Sequence, residues 1–335
     1  MSLTVPAYYK DRLANRELSW EKTNEINVGL DFGFFNSRIN GAIDVYRRDA
    51  KDLIMERKLP STSGWTSIWD NIGHVRNVGV ELQLNTVNVQ TKDFTWETGF
   101  TFSKNHNELI ELYGGKKGDV TNKWFIGEPI DVNYDYVFDG IWQTDEAEQA
   151  AVYGQKPGQV KVRDIDGNKV IDADDKQILG QRSPKWIGSI TSTFRYKDFD
   201  LSVYLYTQQG AQVQDAFMSS FMTFEGNYNQ LDVDYWTENN PSNEFPQPGN
   251  KGKYYDTMRY IDVSFVRVGS ITLGWNIPKE WTKKIGIKNA RLYFTTNNPF
   301  TFSSYKGFDP EWATQNTWGT VTGYTTYLIG TKIEF

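Results

Sequence analysis

The residues with the clearest potential for chemistry lie between positions 164 and 175. Oxygen-bearing side chains occupy positions 1, 3, 5, 9 and 12 of this stretch, and a backbone carbonyl is available at position 7. An EF-hand loop surrounds Ca²⁺ with oxygen ligands at the same spacing. The stretch therefore predicts a structural calcium site, with ligands from Asp164, Asp166, Asn168, Val170, Asp172 and Asp175.

Two features of this stretch depart from the EF-hand pattern. Gly167 is at position 4, and Lys169 is at position 6, where the calcium loop has its glycine. Asp175 at position 12 is shorter than the usual bidentate glutamate. An acidic turn without a metal therefore stays open as the alternative.

Residue patterns typical of enzymes are lacking elsewhere in the sequence. The two histidines, His74 and His106, have neither the HExxH spacing nor a nucleophile partner, and no phosphate-binding glycine motif occurs. A glycosidase needs only two suitably spaced carboxylates, but none of those here lies on a recognisable catalytic scaffold. We predict that the chain is not an enzyme.

Aromatic residues make up 15% of the chain, and many lie in polar segments between apolar runs. Their rings could stack on the faces of sugars or peptides, whereas packing within the loops is the simpler alternative. Tyr254 and Tyr255 belong to this group. The candidate ligand contacts are Trp124, Trp142, Tyr235, Trp236, Trp312 and Trp318.

The elements that would position these residues are β-strands. Apolar and polar residues alternate with a period of two in nine runs, which is typical of strands with one buried and one polar face. The predicted strands are 25–34, 38–55, 75–90, 94–110, 186–196, 199–209, 264–276, 290–303 and 323–335.

The connections between these strands alternate between short and long. The short ones are 36–37, 91–92, 197–198 and 278–288, the last with one short helix, and the long ones are 56–74, 111–183, 210–262 and 304–322. Outer-membrane barrels have short periplasmic turns and long extracellular loops. We predict an all-β fold, the antiparallel up-and-down portion of a transmembrane β-barrel with about nine strands.

Composition agrees with this class of membrane protein. The mean hydropathy is −0.59, but barrel strands alternate lipid-facing and lumen-facing residues, so their average hydropathy stays low. No apolar run is long enough to cross a bilayer as a helix. The chain has no cysteine, and its net charge of −6 argues against a nucleic-acid partner. The first residues lack the apolar core of a signal peptide, so for an exported protein we expect the true N-terminus to lie upstream.

The last predicted strand ends on an aromatic residue, Phe335. A terminal strand of this kind resembles the signal that the barrel-assembly machinery reads, and an ordinary edge strand is the alternative. Its lipid-facing side would carry the assembly signal and contact outer-membrane lipid through Tyr327, Ile329, Ile333 and Phe335.

Several segments resemble the SusC/RagA family of TonB-dependent outer-membrane transporters. Positions 71–81, NIGHVRNVGVE, are similar to the family's NxGxVxNxGxE pattern. Positions 18–54, the acidic loop with its following hairpin, and NNPFTFSSYKGFDPEW at 297–312 also match in the family's order. The resemblance covers most of residues 18–335.

The resemblance implies a location in the outer membrane of a Bacteroidetes-like Gram-negative cell. It implies active import of oligosaccharides or peptides, with a SusD-like surface lipoprotein and with TonB acting through a plug domain. Residues 1–335 would then be the C-terminal part of the barrel, without the plug and earlier strands, and 111–183 a long extracellular loop. A secreted carbohydrate-binding β-protein or a β-rich glycosidase is the alternative.

Overall fold

Strands make up most of the described structure. The computed structural model describes residues 13–215, 232–250, 252–313 and 323–335. Its strands are β1 (Lys22–Phe34), β2 (Ile39–Lys58), β3 (Ser67–Gln90), β4 (Phe94–Leu112), β5 (Val132–Tyr136), β6 (Phe138–Ile141), β7 (Val160–Val162), β8 (Lys176–Gln181), β9 (Trp186–Tyr196), β10 (Phe199–Gln209), β11 (Gln212–Gln214), β12 (Tyr260–Asp262), β13 (Phe265–Asn276), β14 (Asn289–Ser303) and β15 (Thr326–Glu334).

The nine long strands form one sheet whose order follows the chain, β1-β2-β3-β4-β9-β10-β13-β14-β15. The pairs from β4 to β15 are antiparallel. The other strands pair two by two within the loops, as β5-β8, β6-β7 and β11-β12. The predicted all-β meander of nine strands is therefore confirmed, with strand ends within a few residues of the prediction, except around the first loop.

The first long loop is shorter than predicted. Because β2 continues to Lys58 and β3 begins at Ser67, the connection is 59–66 and not 56–74. The predicted strands were too short because the polar residues within 56–58 and 67–74 interrupt the alternation, whereas both strands continue through them. The other long connections, 113–185, 210–264 and 304–325, lie close to the predicted bounds.

Helices are few and short in the described residues. The α-helices span Ala147–Val152, Lys279–Thr282 and Pro310–Ala313, and 3₁₀ turns span Ser61–Ser63, Thr144–Glu146, Ala173–Asp175, Tyr255–Arg259 and Lys283–Ile285. The helix at Lys279–Thr282 lies in the connection 277–288, where one short helix was predicted. None of the described helices has the length and apolarity to cross a bilayer.

The chain divides into two compact units. One comprises the described part of 1–30 together with 44–80 and 105–130, and the other comprises 31–43, 81–104 and 131–335. The core of the first is formed by Met55, Ile72, Val75, Leu109 and Leu112. The core of the second lies among the loops and is formed by Ile141, Val160, Val162, Trp236, Phe245, Tyr254 and Tyr255.

From β4 to β15 one face of the sheet is apolar. Residues that pair across antiparallel strands stand on the same face, so the register defines continuous rows. One row near the short turns contains Phe94, Tyr196, Phe199, Trp275 and Leu292. The next contains Trp96, Phe194, Leu201, Leu273, Phe294 and Ile329.

Aromatic rings stack along these apolar rows. The ring centroids of Trp96 and Phe194 are 5.6 Å apart, and those of Phe199 and Trp275 are 6.0 Å apart at an angle of 9°. Such pairs contribute about 0.5–1.5 kcal/mol beyond their buried area. An apolar face bordered by aromatic residues is the surface that a membrane barrel presents to lipid.

Candidate functional site

The opposite face of the same strands is polar and forms the candidate functional surface. Its rows carry hydroxyl, amide and charged side chains, and Thr101 and Ser189 share a hydrogen bond of 2.7 Å between their hydroxyls. An open recess of about 490 Å³ in this face is lined by residues that include Asn40, Gln83, Asn85, Glu97, Thr101, Ser189, Thr191 and Thr193. A surface of this kind hydrates well and offers hydrogen bonds to a polar solute.

Ion pairs cross the polar face between strands. Arg195 on β9 donates to Glu97 on β4 at 2.5 Å, and Arg291 on β14 donates to Asp200 on β10 at 2.7 Å. The second pair bridges over β13 at Gly274, where a Cβ atom would lie 2.6 Å from Asp200 Oδ1 and in contact with the Arg291 guanidinium. Glycine at the crossing point therefore leaves room for this ion pair, which a larger residue would displace.

Three of the predicted calcium ligands converge in the acidic segment. One carboxylate oxygen from each of Asp164, Asp166 and Asp175 lies within 4.8 Å of the others. Asp172 is not part of this group, because its carboxylate accepts a hydrogen bond of 2.9 Å from the Asp174 N–H and caps the following 3₁₀ turn. The Asn168 amide oxygen accepts a hydrogen bond of 2.7 Å from the N–H of Val170, an exposed residue.

Hydrogen bonds hold the loop in shape around these carboxylates. Asp175 is fully buried and accepts from the N–H groups of Ile165 and Asp172, at 2.7 and 2.8 Å. Burial acts to raise the pKa of Asp164, but hydrogen bonds from the Lys169 N–H and the Tyr153 hydroxyl outweigh it. The net result is a pKa below the usual range, so Asp164 is ionised at neutral pH and able to hold a cation.

The backbone explains one departure from the EF-hand pattern. Lys169 has a φ of +67° and Gly167 has a φ of +73°. Lys169 therefore adopts the left-handed conformation at the position where the EF-hand loop has glycine. The conformation needed for the turn is present, although the residue is not the one that favours it.

The aromatic candidates divide by burial. Trp142 and Trp236 are each only 3% exposed, and their indole N–H groups donate to Gln155 and Gln143. Trp236 packs in the loop core with Tyr254 and Tyr255, and the Trp142 ring stacks on Tyr153 with the ring centroids 5.9 Å apart. Both rings therefore pack within the loops, and contact of either ring with a ligand stays a prediction.

Other aromatic candidates have more solvent contact. Trp124 packs against the core of the first unit and is half-buried. Tyr235 and Trp312 are exposed, and only exposed rings are positioned to meet a solute. Trp318 lies outside the described residues.

Tyrosine–carboxylate hydrogen bonds fasten the loops at several points. Tyr260 donates to Asp135 at 3.0 Å, and Tyr305 donates to Asp215. In the first unit Tyr113 donates to Asp119 at 2.7 Å. Burial and the Asp119 carboxylate raise the pKa of Tyr113 to about 12, so its hydroxyl stays protonated and continues to donate.

The comparisons with known proteins agree with this two-faced sheet. A family model described as TonB dependent receptor-like, beta-barrel, matches residues 2–298.

This chain belongs to the TonB-dependent receptor β-barrel family.

Relatives within the TonB-dependent receptor family match nearly the whole chain. It is 31% identical over 334 residues to TonB-dependent receptor SusC of Bacteroides thetaiotaomicron, covering 96% of this chain and 32% of SusC. It is 31% identical over 313 residues to TonB-dependent receptor P3 of Formosa agariphila, covering 89% and 31%. It thus spans about a third of the length of these curated relatives.

A solved structure of the RagAB peptide transporter superposes with a TM-score of 0.80 at 26% identity, over 99% of this chain and 38% of that one. The resemblance to SusC/RagA proteins is therefore confirmed. The family consists of outer-membrane β-barrels that act as receptors and transporters rather than enzymes. The apolar face of this TonB-dependent receptor barrel accordingly contacts lipid, the polar face lines the lumen, and the short turns are periplasmic.

The last strand of the TonB-dependent receptor barrel has the predicted faces. Tyr327 pairs with Thr296, Ile329 with Phe294 and Ile333 with Ala290, all on the lipid side. Phe335 follows the strand and is 78% exposed. The orientation needed for an assembly signal is present, and the signal itself stays a prediction.

Arg267, Asp309 and Glu311 form a charged cluster that regular alternation does not single out. Arg267 occurs where the alternation slips, in the run VRVGS at 266–270, and the partner strand has a proline at 299 within NNPF. Proline inside a strand indicates an edge or a bulge, so this pair of irregularities is the signal that marks the site.

Proposed function

We propose that this chain forms nine strands of an outer-membrane importer for oligosaccharides or peptides. The observation that carries the proposal is the sheet itself, which places stacked aromatic rows on one face and ion pairs with hydroxyl rows on the other. The polar face supplies donors and acceptors along a lumen, for sugar hydroxyls or peptide amides alike. A secreted binding protein or glycosidase would have no need of an apolar outer surface on this scale.

The complete importer requires partners. A SusD-like surface lipoprotein would cover the extracellular mouth and hand over solute, and the TonB complex would supply energy through a plug domain. Support comes from the likeness of this chain to TonB-dependent receptor SusC and to the RagAB peptide transporter. Transport of this type moves the solute without breaking bonds.

Uptake measurements test the proposal. A strain lacking the gene should lose growth on, and uptake of, one class of oligomer, either oligosaccharides or peptides, while uptake of the corresponding monomers is unchanged. Dissipating the proton gradient should stop uptake in the parent strain. If the deletion strain takes up both classes of oligomer at the parental rate, the proposed function is wrong.

We also propose that the acidic segment binds Ca²⁺ in a structural role. Asp164, Asp166 and Asp175 supply converging carboxylates, and three negative charges this close repel one another unless a cation lies among them. Asn168 and the carbonyl of Val170 would complete the oxygen ligands, at 2.3–2.6 Å from the ion.

Calorimetry on the purified membrane protein tests this site. Replacing Asp164 and Asp166 together by alanine should abolish a Ca²⁺ binding event that the unmodified protein shows. Asp174→Ala, which removes a neighbouring carboxylate outside the converging group, should leave binding unchanged. Binding that persists in the double variant, or a parent protein that binds no Ca²⁺, contradicts the proposal.

A further inference from the structure

A β-bulge aims Arg267 into the lumen. Between β10 and β13 the register shifts, so that Tyr204 pairs with Ser270 and Leu205 with Val268, which leaves Gly269 as an extra residue. Between the bulge and the extracellular end of β13, the shift reverses which of the alternating side chains face the lumen. As a result Arg267 stands on the polar face and pairs with Tyr206.

The matching irregularity on β14 lies opposite. Val268 pairs with Phe300 and Ser270 with Asn297, so Asn298 and Pro299 together stand opposite the single residue Gly269, and Asn298 has a φ of +50°. Proline is tolerated here because a bulge does not need its N–H. Both strands are therefore shaped to present Arg267 on the lumen side.

Arg267 forms ion pairs with the loop that follows β14. Its guanidinium donates to Asp309 at 2.6 Å and to Glu311 at 2.7 Å, and its Nε donates to Thr301 at 2.9 Å. The side chains of Arg267 and Asp309 are each only 4% exposed. The Tyr206 hydroxyl also donates to Glu311, at 2.7 Å.

The position of these contacts shows that the loop turns inward. Phe265 and Ser303 are the last pair at the extracellular end of β13 and β14, and Arg267 lies two residues below them. Two strand residues span about 7 Å. The Arg267 Nε donates to Thr301, its own cross-strand partner, so the guanidinium stays near this level and Asp309 folds back into the mouth of the barrel to meet it. A Cβ atom at Gly323, near the other end of the loop, would clash with the Asp309 carboxylate.

The charged contacts hold the middle of the folded-back segment. A cavity of about 280 Å³, lined by Arg267, Thr301, Asp309 and Tyr324 among others, separates part of the segment from β14. Tyr305 and Ala313 pack against the small apolar cluster of Ala211, Val213 and Val263, so the segment is held at its two ends by packing and in the middle by the ion pairs.

We infer that Arg267 is a positioning residue that holds residues 305–313 as an inward-folded constriction at the extracellular mouth. The inference rests on the proposed importer, since it makes this segment part of the solute path. Trp312 is 43% exposed on the segment and directly follows the Arg267-bound Glu311, so the constriction presents its ring to entering solute.

Cysteine labelling in intact cells tests the constriction. The 335 residues contain no cysteine, so Trp312→Cys places one thiol on the segment. A small charged maleimide should label it readily, and a bulky polyethylene-glycol maleimide should label it slowly. Adding Asp309→Ala should raise the rate with the bulky reagent at least about tenfold, because it removes the more buried of the two carboxylates that pair with the Arg267 guanidinium, and losing one partner of a buried ion pair strongly destabilises the folded-back state.

Controls separate this inference from the proposed function. Asp256→Ala, which removes the more exposed Arg259–Asp256 pair elsewhere in the loops, should not change labelling at position 312. Val170→Cys in the acidic segment should react with both reagents alike. If Val170→Cys is labelled by neither reagent in intact cells although it reacts with both after the cells are broken, the outer-membrane function fails.

The remaining outcomes bear on the constriction alone. Two results would overturn the constriction when Val170→Cys reacts. One is that Trp312→Cys reacts equally with both reagents, and the other is that Asp309→Ala does not change the labelling of Trp312→Cys. If the Asp309→Ala variant does not reach the surface, Glu311→Gln is the substitute, because it removes one of the two ion pairs. It should give an intermediate rate of labelling of Trp312→Cys by the bulky reagent. An unchanged rate overturns the inference equally.

Discussion

Replacing Ile271 by arginine should sharply reduce the amount of assembled protein in the outer membrane. Ile271 is in the middle of β13 and pairs with Val203 and Thr296 on the lipid side. A cationic side chain near the bilayer midplane destabilises a barrel by about 2–4 kcal/mol. The matched control is Thr272→Arg, one residue further along the same strand but in the lumen row with Ser202 and Thr295.

Heat-modifiable gel mobility and outer-membrane yield provide the measurement for this pair. The arginine at 272 should leave assembly close to the parental level, since a lumen-facing cation stays hydrated. Comparable losses from both substitutions would contradict the assignment of the two faces. Comparable tolerance of both would mean that this strand does not contact lipid.

The second large effect is expected at the end of the chain. Deleting Phe335, or Phe335→Ala, should slow assembly and lower surface abundance, although an exposed terminal residue of a soluble protein is usually dispensable. Ile333→Asp should be worse, because it places a charge on the lipid face and damages the assembly signal together. Glu334→Gln should be mild, since Glu334 faces the lumen and pairs with Asn289.

Pulse-labelled cells followed by fractionation would resolve the order of these variants. Assembly rates should fall in the order Glu334→Gln, Phe335→Ala, Ile333→Asp. Equal rates for all three would show that the last strand is not read as a signal, without affecting the result at positions 271 and 272.

Strand positions could be predicted from the sequence because a lipid-facing row and a lumen-facing row force strict alternation. In β9 and β10 even the ends agree, since Lys197-Asp198 forms the tight turn between Tyr196 and Phe199, with Lys197 at a φ of +52°. Prediction was poorer for β2 and β3, where polar residues continue as strand beyond the apolar part.

The loops were less predictable because their contacts join distant parts of the chain. Trp142 and Trp236 look alike as loop tryptophans, and only the fold shows that both are buried. Arg267 and Asp309 are 42 residues apart, and their meeting depends on a bulge. In the acidic segment the carboxylates of Asp164, Asp166 and Asp175 converge, whereas Asp172 caps the following 3₁₀ turn, and calcium binding by the segment stays a prediction.

Gly274, which lies beneath the ion pair between Asp200 and Arg291, also helps to set the register of β13. A slip of β13 by one residue would turn its lipid-facing row into the lumen, but a slip by two residues would keep every side chain on its proper face. Such a slip would bring Thr272 or Asn276 to the place of Gly274, where a Cβ atom would displace the Asp200 carboxylate and the Arg291 guanidinium and disturb their ion pair. One missing side chain thus disfavours the mispairing that hydrophobic patterning by itself would permit.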